Sequence, residues 1–179
     1  MNLPNKLTVL RVCMVPVFVV FMLWDGLGDA SKYAATVIFI LASMTDWLDG
    51  YLARRDNLVT DFGKFMDPIA DKLLVCSALI CLVEKGALAA WIVIIIIGRE
   101  FIISGFRLVA SDKGVVIAAS YWGKFKTVSQ MLMVILLILD LGGVFAVIAE
   151  VLVWIAVILT VISLVDYLIK NRSVLDGEM

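Results

Sequence analysis

Six apolar runs, at about 7–24, 33–52, 67–83, 88–110, 123–139 and 144–169, occupy most of this chain of 179 residues. Each is near the roughly 20 apolar residues that cross the hydrocarbon of a bilayer. Hydrophobic residues make up 63% of the chain and its mean hydropathy is +1.07, whereas a soluble domain is about 45–50% apolar. So small a chain has no core that could hide this surface, and lipid must cover it. In lipid every backbone polar group needs an internal partner, which leaves helices or closed barrels. The runs are continuous rather than alternating, so helices are expected. The expected fold is an all-α integral membrane protein with six transmembrane helices, forming a single domain over 1–179.

Polar breaks separate the runs. Asp25, Gly26, Gly28 and Asp29 end the first, Glu84, Lys85 and Gly86 mark a tight turn, and Asp140, Gly142 and Gly143 divide the last two. Pro16 lies inside the first run, where a kink is expected. Segment 2–11 mixes polar and apolar residues and reads two ways: an N-terminal interfacial helix lying at the headgroups, or the frayed start of the first span. Its N-terminus lacks a basic stretch with a small-residue cleavage site, so the first run is expected to be retained rather than removed. The tail from Asn171 is short and polar, and is expected to be mobile.

Six spans put both termini on one face. That face then carries Lys6, Arg11, Lys170 and Arg172, together with Arg54, Arg55, Lys64, Lys72, Arg107, Lys113, Lys124 and Lys126 around two connections. The opposite face has Lys32 and Lys85 among the acidic Asp25, Asp29, Glu84 and Asp140. Cytoplasmic loops are enriched in Lys and Arg, so the termini and both basic connections are expected in the cytoplasm.

Four carboxylates stand out against this background. Asp46 and Asp49 are spaced i, i+3 at the end of the second run, and Asp67 and Asp71 are spaced i, i+4 at the start of the third. Each pair shares a helix face. A carboxylate at the centre of a membrane helix costs about 2.5–3.5 kcal/mol on insertion scales, so four facing one another would need cations between them. The chain has no His, which removes imidazole as base or ligand. All-oxygen ligation favours Mg²⁺ or Mn²⁺ over zinc, and paired metals suit phosphoryl displacement. Gly50, Ala53 and Gly63 lack bulk beside these carboxylates, so a nucleotide or a helix can come close to the backbone. The plainer alternative is interfacial carboxylates neutralised by Arg54, Arg55, Lys64 and Lys72. It serves for any one Asp but poorly for the full stripe.

The run D-x2-D-G-x2-A-R-x8-G-x3-D-x3-D falls on Asp46, Asp49, Gly50, Ala53, Arg54, Gly63, Asp67 and Asp71 without a gap. It resembles the signature of the CDP-alcohol phosphotransferases, and the six-helix reading is similar to that family over nearly the whole chain. The resemblance implies two divalent cations, Mg²⁺ or Mn²⁺, held by Asp46, Asp49, Asp67 and Asp71, with Asp71 also the general base. It implies CDP-lipid contacts at Asn5, Thr8, Gly50, Ala53, Arg54 and Gly63, displacement of CMP by an acceptor alcohol, and a homodimer. Nucleic acid is not an expected partner.

Two shorter stretches bear on the acceptor. Pro4, Asn5, Leu7, Thr8 and Arg11 resemble the PN-x-LT-x-x-R opening of bacterial phosphatidylglycerophosphate synthases, and Arg99, Glu100, Gly105 and Arg107 resemble the R-E-x4-G-x-R segment of the same subfamily. This implies CDP-diacylglycerol and glycerol 3-phosphate as substrates, in the bacterial cytoplasmic (inner) membrane. Arg99 and Arg107 lie about two turns apart on one face. With Arg11, Lys124 and Lys126 they are candidates for a basic acceptor-phosphate pocket beside the metals, since Arg forks match phosphate. The plainer alternatives are an Arg99 pair with Glu100 or Asp112, and positive-inside residues for Lys113, Lys124 and Lys126. Other acceptors, namely phosphatidylglycerol, serine or an inositol phosphate, fit the same chemistry. A small cation transporter is the remaining class, but transport sites sit near the midplane between repeats, and these carboxylates cluster at one face without a visible repeat.

Cys13, Cys76 and Cys81 lie in apolar segments without metal-site spacing and are expected to pack. Glu150 lies toward the outer end of the sixth run, where helix pairing or a dimer contact is expected. Trp24, Trp91 and Trp154 are expected to anchor or pack near span ends.

Overall fold

The computed structural model describes residues 3–55, 61–112 and 121–172. Within these, the side chains of 3, 4, 25, 47–55, 61, 62, 64, 65, 111 and 112 lie outside the description. All regular structure among the described residues is helical: α1 (Leu3–Leu23), a 3₁₀ turn (Asp25–Leu27), α2 (Asp29–Arg55), α3 (Asp61–Glu84), α4 (Ala90–Asp112), α5 (Tyr121–Leu139) and α6 (Gly143–Lys170). Each expected run corresponds to one helix. The ends differ where polar residues extend the helix: α2 begins at Asp29 and α3 at Asp61.

α1 is one helix from Leu3 to Leu23, with Pro16 inside it. Segment 3–11 is therefore its first turns, and no separate interfacial helix precedes it among the described residues. At the expected break, Gly28 has φ +56° and Ser31 Oγ donates to the Trp24 carbonyl at 2.9 Å. α3 ends in a Schellman motif. Gly86 adopts φ +71°, its N–H reaches Val83 O at 2.9 Å, and the Ala87 N–H reaches Leu82 O at 2.9 Å. Gly has no Cβ to oppose that left-handed conformation. Gly142 and Gly143, both at positive φ, lead into α6.

The chain forms two compact units, Met1–Leu88 with Leu137–Leu139, and Ala89–Leu136 with Asp140–Met179. In the first, α1 packs on both α2 and α3. Ala35, Phe39 and Ala42 form one buried face of α2, and Ala70, Leu74 and Ala78 one of α3, against Val15, Phe18 and Met22 of α1. The Phe18 and Phe39 rings meet at 5.8 Å. Small residues on these faces let the backbones approach closely. The opposite faces expose Val17, Val20, Val37, Leu41, Ile69 and Leu73.

In the second unit α4 packs on α6. Trp91 meets Trp154 at 6.1 Å and Phe106 meets Tyr167 edge-on at 6.2 Å. α6 turns Val147, Val151, Ile158 and Val165 outward. Exposed apolar faces this long suit lipid rather than water.

Among the described residues, three helices are long and apolar enough to cross a membrane: Asn5–Leu23, Tyr121–Leu139 and Gly143–Lys170. The charges of α2, α3 and α4, among them Asp46, Asp49, Arg54, Asp67, Asp71, Arg99, Glu100 and Arg107, dilute their apolar stretches. The regular structure of the described residues is thus all helical, with three helices able to cross a membrane.

Candidate active site

In the first unit, the N-terminal turns of α1 brace the carboxylate motif. Asn5, Thr8 and Arg11 recur every three residues and are all buried. Arg11 is fully buried and donates from Nη1 to Asp46 Oδ1 on α2 at 2.6 Å. Its Nε reaches Thr45 Oγ1 at 3.4 Å, and that hydroxyl in turn donates to the Ala42 carbonyl at 2.6 Å. Thr8 Oγ1 donates to Asp67 Oδ1 on α3, also at 2.6 Å. One helix therefore holds a carboxylate from each half of the motif.

Gly63, Asp67 and Asp71 share one face of α3 at a spacing of four. Gly63 is buried, Asp67 half-buried and Asp71 exposed. The side chain of Asp46 is 43% exposed, so Arg11 holds it from the protein side while solvent reaches the other. Pro68 follows Asp67 inside α3 and cannot donate to the carbonyl of residue 64. Asp49, Gly50, Ala53 and Arg54 lie on the α2 backbone, but their side-chain positions are outside the described residues.

Among the described residues no three His, Cys, Asp or Glu side chains converge; Asp49 is not among them. The donors that are described fit a hard cation. A carboxylate has two oxygens with about four acceptor sites, so a hydrogen bond at Oδ1 leaves ligating capacity at the same group. Arg11 and Thr8 have the position of outer partners that orient ligands. With carboxylate oxygens and no imidazole in the chain, the set suits Mg²⁺ or Mn²⁺.

The cations expected to bind an acceptor phosphate have different surroundings. Arg11 is engaged by Asp46, as above. In the second unit Arg99 and Lys126 are brought together by Glu100, whose Oε1 accepts from Arg99 Nη1 at 2.9 Å and from Lys126 Nζ. Arg99 Nε also reaches Ser163 Oγ on α6 at 3.1 Å. Arg107 and Lys124 are exposed, and Lys124 Nζ lies 5.4 Å from the Tyr121 ring centroid. Lys113 is outside the described residues. The pairing of Arg99 with Glu100 was one of the readings open in the sequence. The shared use of Glu100 by Lys126, and the part of Ser163, had no signal there, because they depend on how α4, α5 and α6 meet.

Helical membrane segments and a carboxylate motif braced from α1 define a class, and the comparison agrees. Residues 1–162 match the model of the CDP-alcohol phosphatidyltransferase family, and the chain belongs to that family. It is 46% identical to the CDP-diacylglycerol–glycerol-3-phosphate 3-phosphatidyltransferase of Bacillus subtilis, over 97% of each chain. It is 41% identical to the Haemophilus influenzae protein of the same name, over 98% of this chain and 97% of the relative. It is 44% identical to a probable phosphatidylglycerophosphate synthase of Mycobacterium tuberculosis, over 98% of this chain and 84% of the relative.

Proposed function

We propose that this chain transfers the phosphatidyl group of CDP-diacylglycerol to sn-glycerol 3-phosphate, giving phosphatidylglycerophosphate and CMP. The observation that carries this reading is the end-to-end likeness to proteins bearing that name, 46% and 41% identical over nearly the whole of both chains.

In this reading Asp46, Asp49, Asp67 and Asp71 hold two divalent cations, Mg²⁺ or Mn²⁺. When bound, these ions offset the charge that develops on the attacking and leaving oxygens. Arg11 orients Asp46 through its Nη1 hydrogen bond, and Thr8 orients Asp67 through its hydroxyl. Asp71, exposed on α3, takes the proton of the acceptor hydroxyl as its oxygen bonds to the lipid-linked phosphorus. The bond from that phosphorus to the oxygen of CMP breaks, and CMP leaves with the bond's electron pair. An ordinary carboxylate pKa of about 4 is far below that of an alcohol, so Asp71 serves by position rather than by basicity. Asn5, Gly50, Ala53, Arg54 and Gly63 line the approach of the CDP-lipid, where small residues admit the nucleotide. Arg99, Arg107, Lys124 and Lys126 supply the positive charge for the acceptor phosphate.

We also propose six spans in a bacterial cytoplasmic membrane, with the termini and the active site on the cytoplasmic face, and a homodimer. The basic connections support that orientation. Purified protein in phospholipid–detergent micelles, given CDP-diacylglycerol and one acceptor at a time, tests the substrate. CMP release is expected with glycerol 3-phosphate and not with glycerol, serine or inositol phosphate. Release with one of the others alone overturns the acceptor assignment.

A further inference from the structure

Glu100 stands on α4 between two cations. The same atom, Oε1, accepts from Arg99 Nη1 at 2.9 Å and from Lys126 Nζ on α5. Two nitrogens bonded to one oxygen are held within two hydrogen-bond lengths of each other. Like charges at that spacing repel strongly where water screens them little. The Arg99 side chain is 11% exposed and that of Lys126 only 3%, so the carboxylate between them compensates charge that water screens little.

The rest of the guanidinium is fixed as well. Ser163 Oγ on α6 accepts from Nε at 3.1 Å. On the remaining side, a Cβ built on Gly123 of α5 would come within 3.3 Å of Nη2. The missing side chain therefore leaves room for the fork. Nε and Nη1 are held by Ser163 and Glu100, Nη2 lies beside Gly123, and two further helices converge on Arg99.

We propose that Glu100 is a positioning residue for the acceptor phosphate: it holds the charges of Arg99 and Lys126 side by side so that one dianion meets both. The three groups together keep a net positive charge. This inference rests on the proposed function, which assigns those two cations to glycerol 3-phosphate. It also predicts a sign opposite to the simplest electrostatic expectation. Removing a negative charge near a phosphate would by itself tighten binding, whereas removing the group that aligns the two cations weakens it.

The test measures CMP release by the full-length chain in phospholipid–detergent micelles, with glycerol 3-phosphate and CDP-diacylglycerol each varied in turn. Wild type, Glu100→Gln, Lys126→Met and the double variant are compared. Glu100→Gln is expected to raise the KM for glycerol 3-phosphate about tenfold or more, as losing a charge-assisted hydrogen bond does. The KM for CDP-diacylglycerol stays near wild type, while the melting temperature falls because two nearly buried cations lose a counter-charge. Because Glu100 acts through Lys126 and Arg99, the double variant loses less than the product of the two single effects. Glu100→Asp keeps the charge and regains part of the lost affinity. Should Glu100→Gln not assemble, Glu100→Asp alone is read by the same KM criterion. An unchanged or lowered KM for glycerol 3-phosphate, or a loss confined to kcat or melting temperature, overturns the inference alone. CMP release by the wild type that does not depend on glycerol 3-phosphate overturns the proposed function and this inference with it.

Discussion

Arg11 on α1 and Asp46 on α2 form an ion pair at 2.6 Å in which the guanidinium is fully buried and the carboxylate is 43% exposed. The asymmetry matters. A buried arginine without a partner is costly, while a half-exposed carboxylate keeps a face for a ligand. The pair ties the start of the chain to the first half of the carboxylate motif.

Replacing Arg11 with Ala therefore strikes stability and activity together. The expected destabilisation is about 1.5–3 kcal/mol, the range for hydrogen bonds to charged groups, and below the roughly 3–5 kcal/mol of a fully buried pair. Arg11→Lys recovers little of it, because a lysine cannot reach Asp46 and Thr45 with a planar fork. Thermal unfolding in detergent, followed beside kcat, checks both.

Thr8→Val keeps the shape of the side chain and removes its hydrogen bond to Asp67. If Asp67 is a metal ligand, losing this outer partner weakens apparent Mg²⁺ or Mn²⁺ affinity about 10–100-fold with little change in the KM for glycerol 3-phosphate. Titration of activity with each cation separates this from a general loss of folding, which would not be rescued by excess metal.

Ala78 is fully buried in the first unit. Ala78→Leu inserts bulk into a packed helix contact and is expected to cost about 1–3 kcal/mol. The exposed Leu73→Ala, on a lipid-facing side, is expected to cost well below that. Melting temperatures of the two variants in one detergent give the comparison.

Gly123→Val tests the room left for Arg99. The branched side chain crowds Nη2, which a Cβ alone would approach to 3.3 Å, and is expected to shift the guanidinium against Ser163 and Glu100. The expected outcome is a rise of about fivefold in the KM for glycerol 3-phosphate, corresponding to an overpacking cost of roughly 1 kcal/mol. The KM for CDP-diacylglycerol is the internal control.

The helices were readable because each apolar run is bounded by Gly, Asp or Lys clusters that end it. Gly86 and the Gly142–Gly143 pair do so through positive φ. The polar first turns of α2 and α3 were less readable, since Asp29 and Asp61 open helices ahead of any apolar signal. The continuity of α1 decided between two readings of segment 3–11. The carboxylate motif was legible in full as a pattern. The partners of Asp46 and Asp67 were not, because Arg11 and Thr8 lie 35 and 59 residues away, and only packing of α1 between α2 and α3 brings them there. Arg11 read alone as one more cation for a phosphate; its burial and its bond to Asp46 had no signal in the sequence. Arg99 and Lys126 were legible as charges, but the carboxylate they share was not.

Transfer of labelled glycerol 3-phosphate into lipid by the purified protein tests the central claim most directly. With CDP-diacylglycerol and Mg²⁺ or Mn²⁺, label is expected in phosphatidylglycerophosphate, in step with CMP release. Chelation should abolish it and added cation restore it, and Asp71→Asn should lower the rate by about 10²–10⁴, the range for a positioned acid–base group. Label entering lipid at the full rate with chelator present, or in Asp71→Asn, would contradict the account.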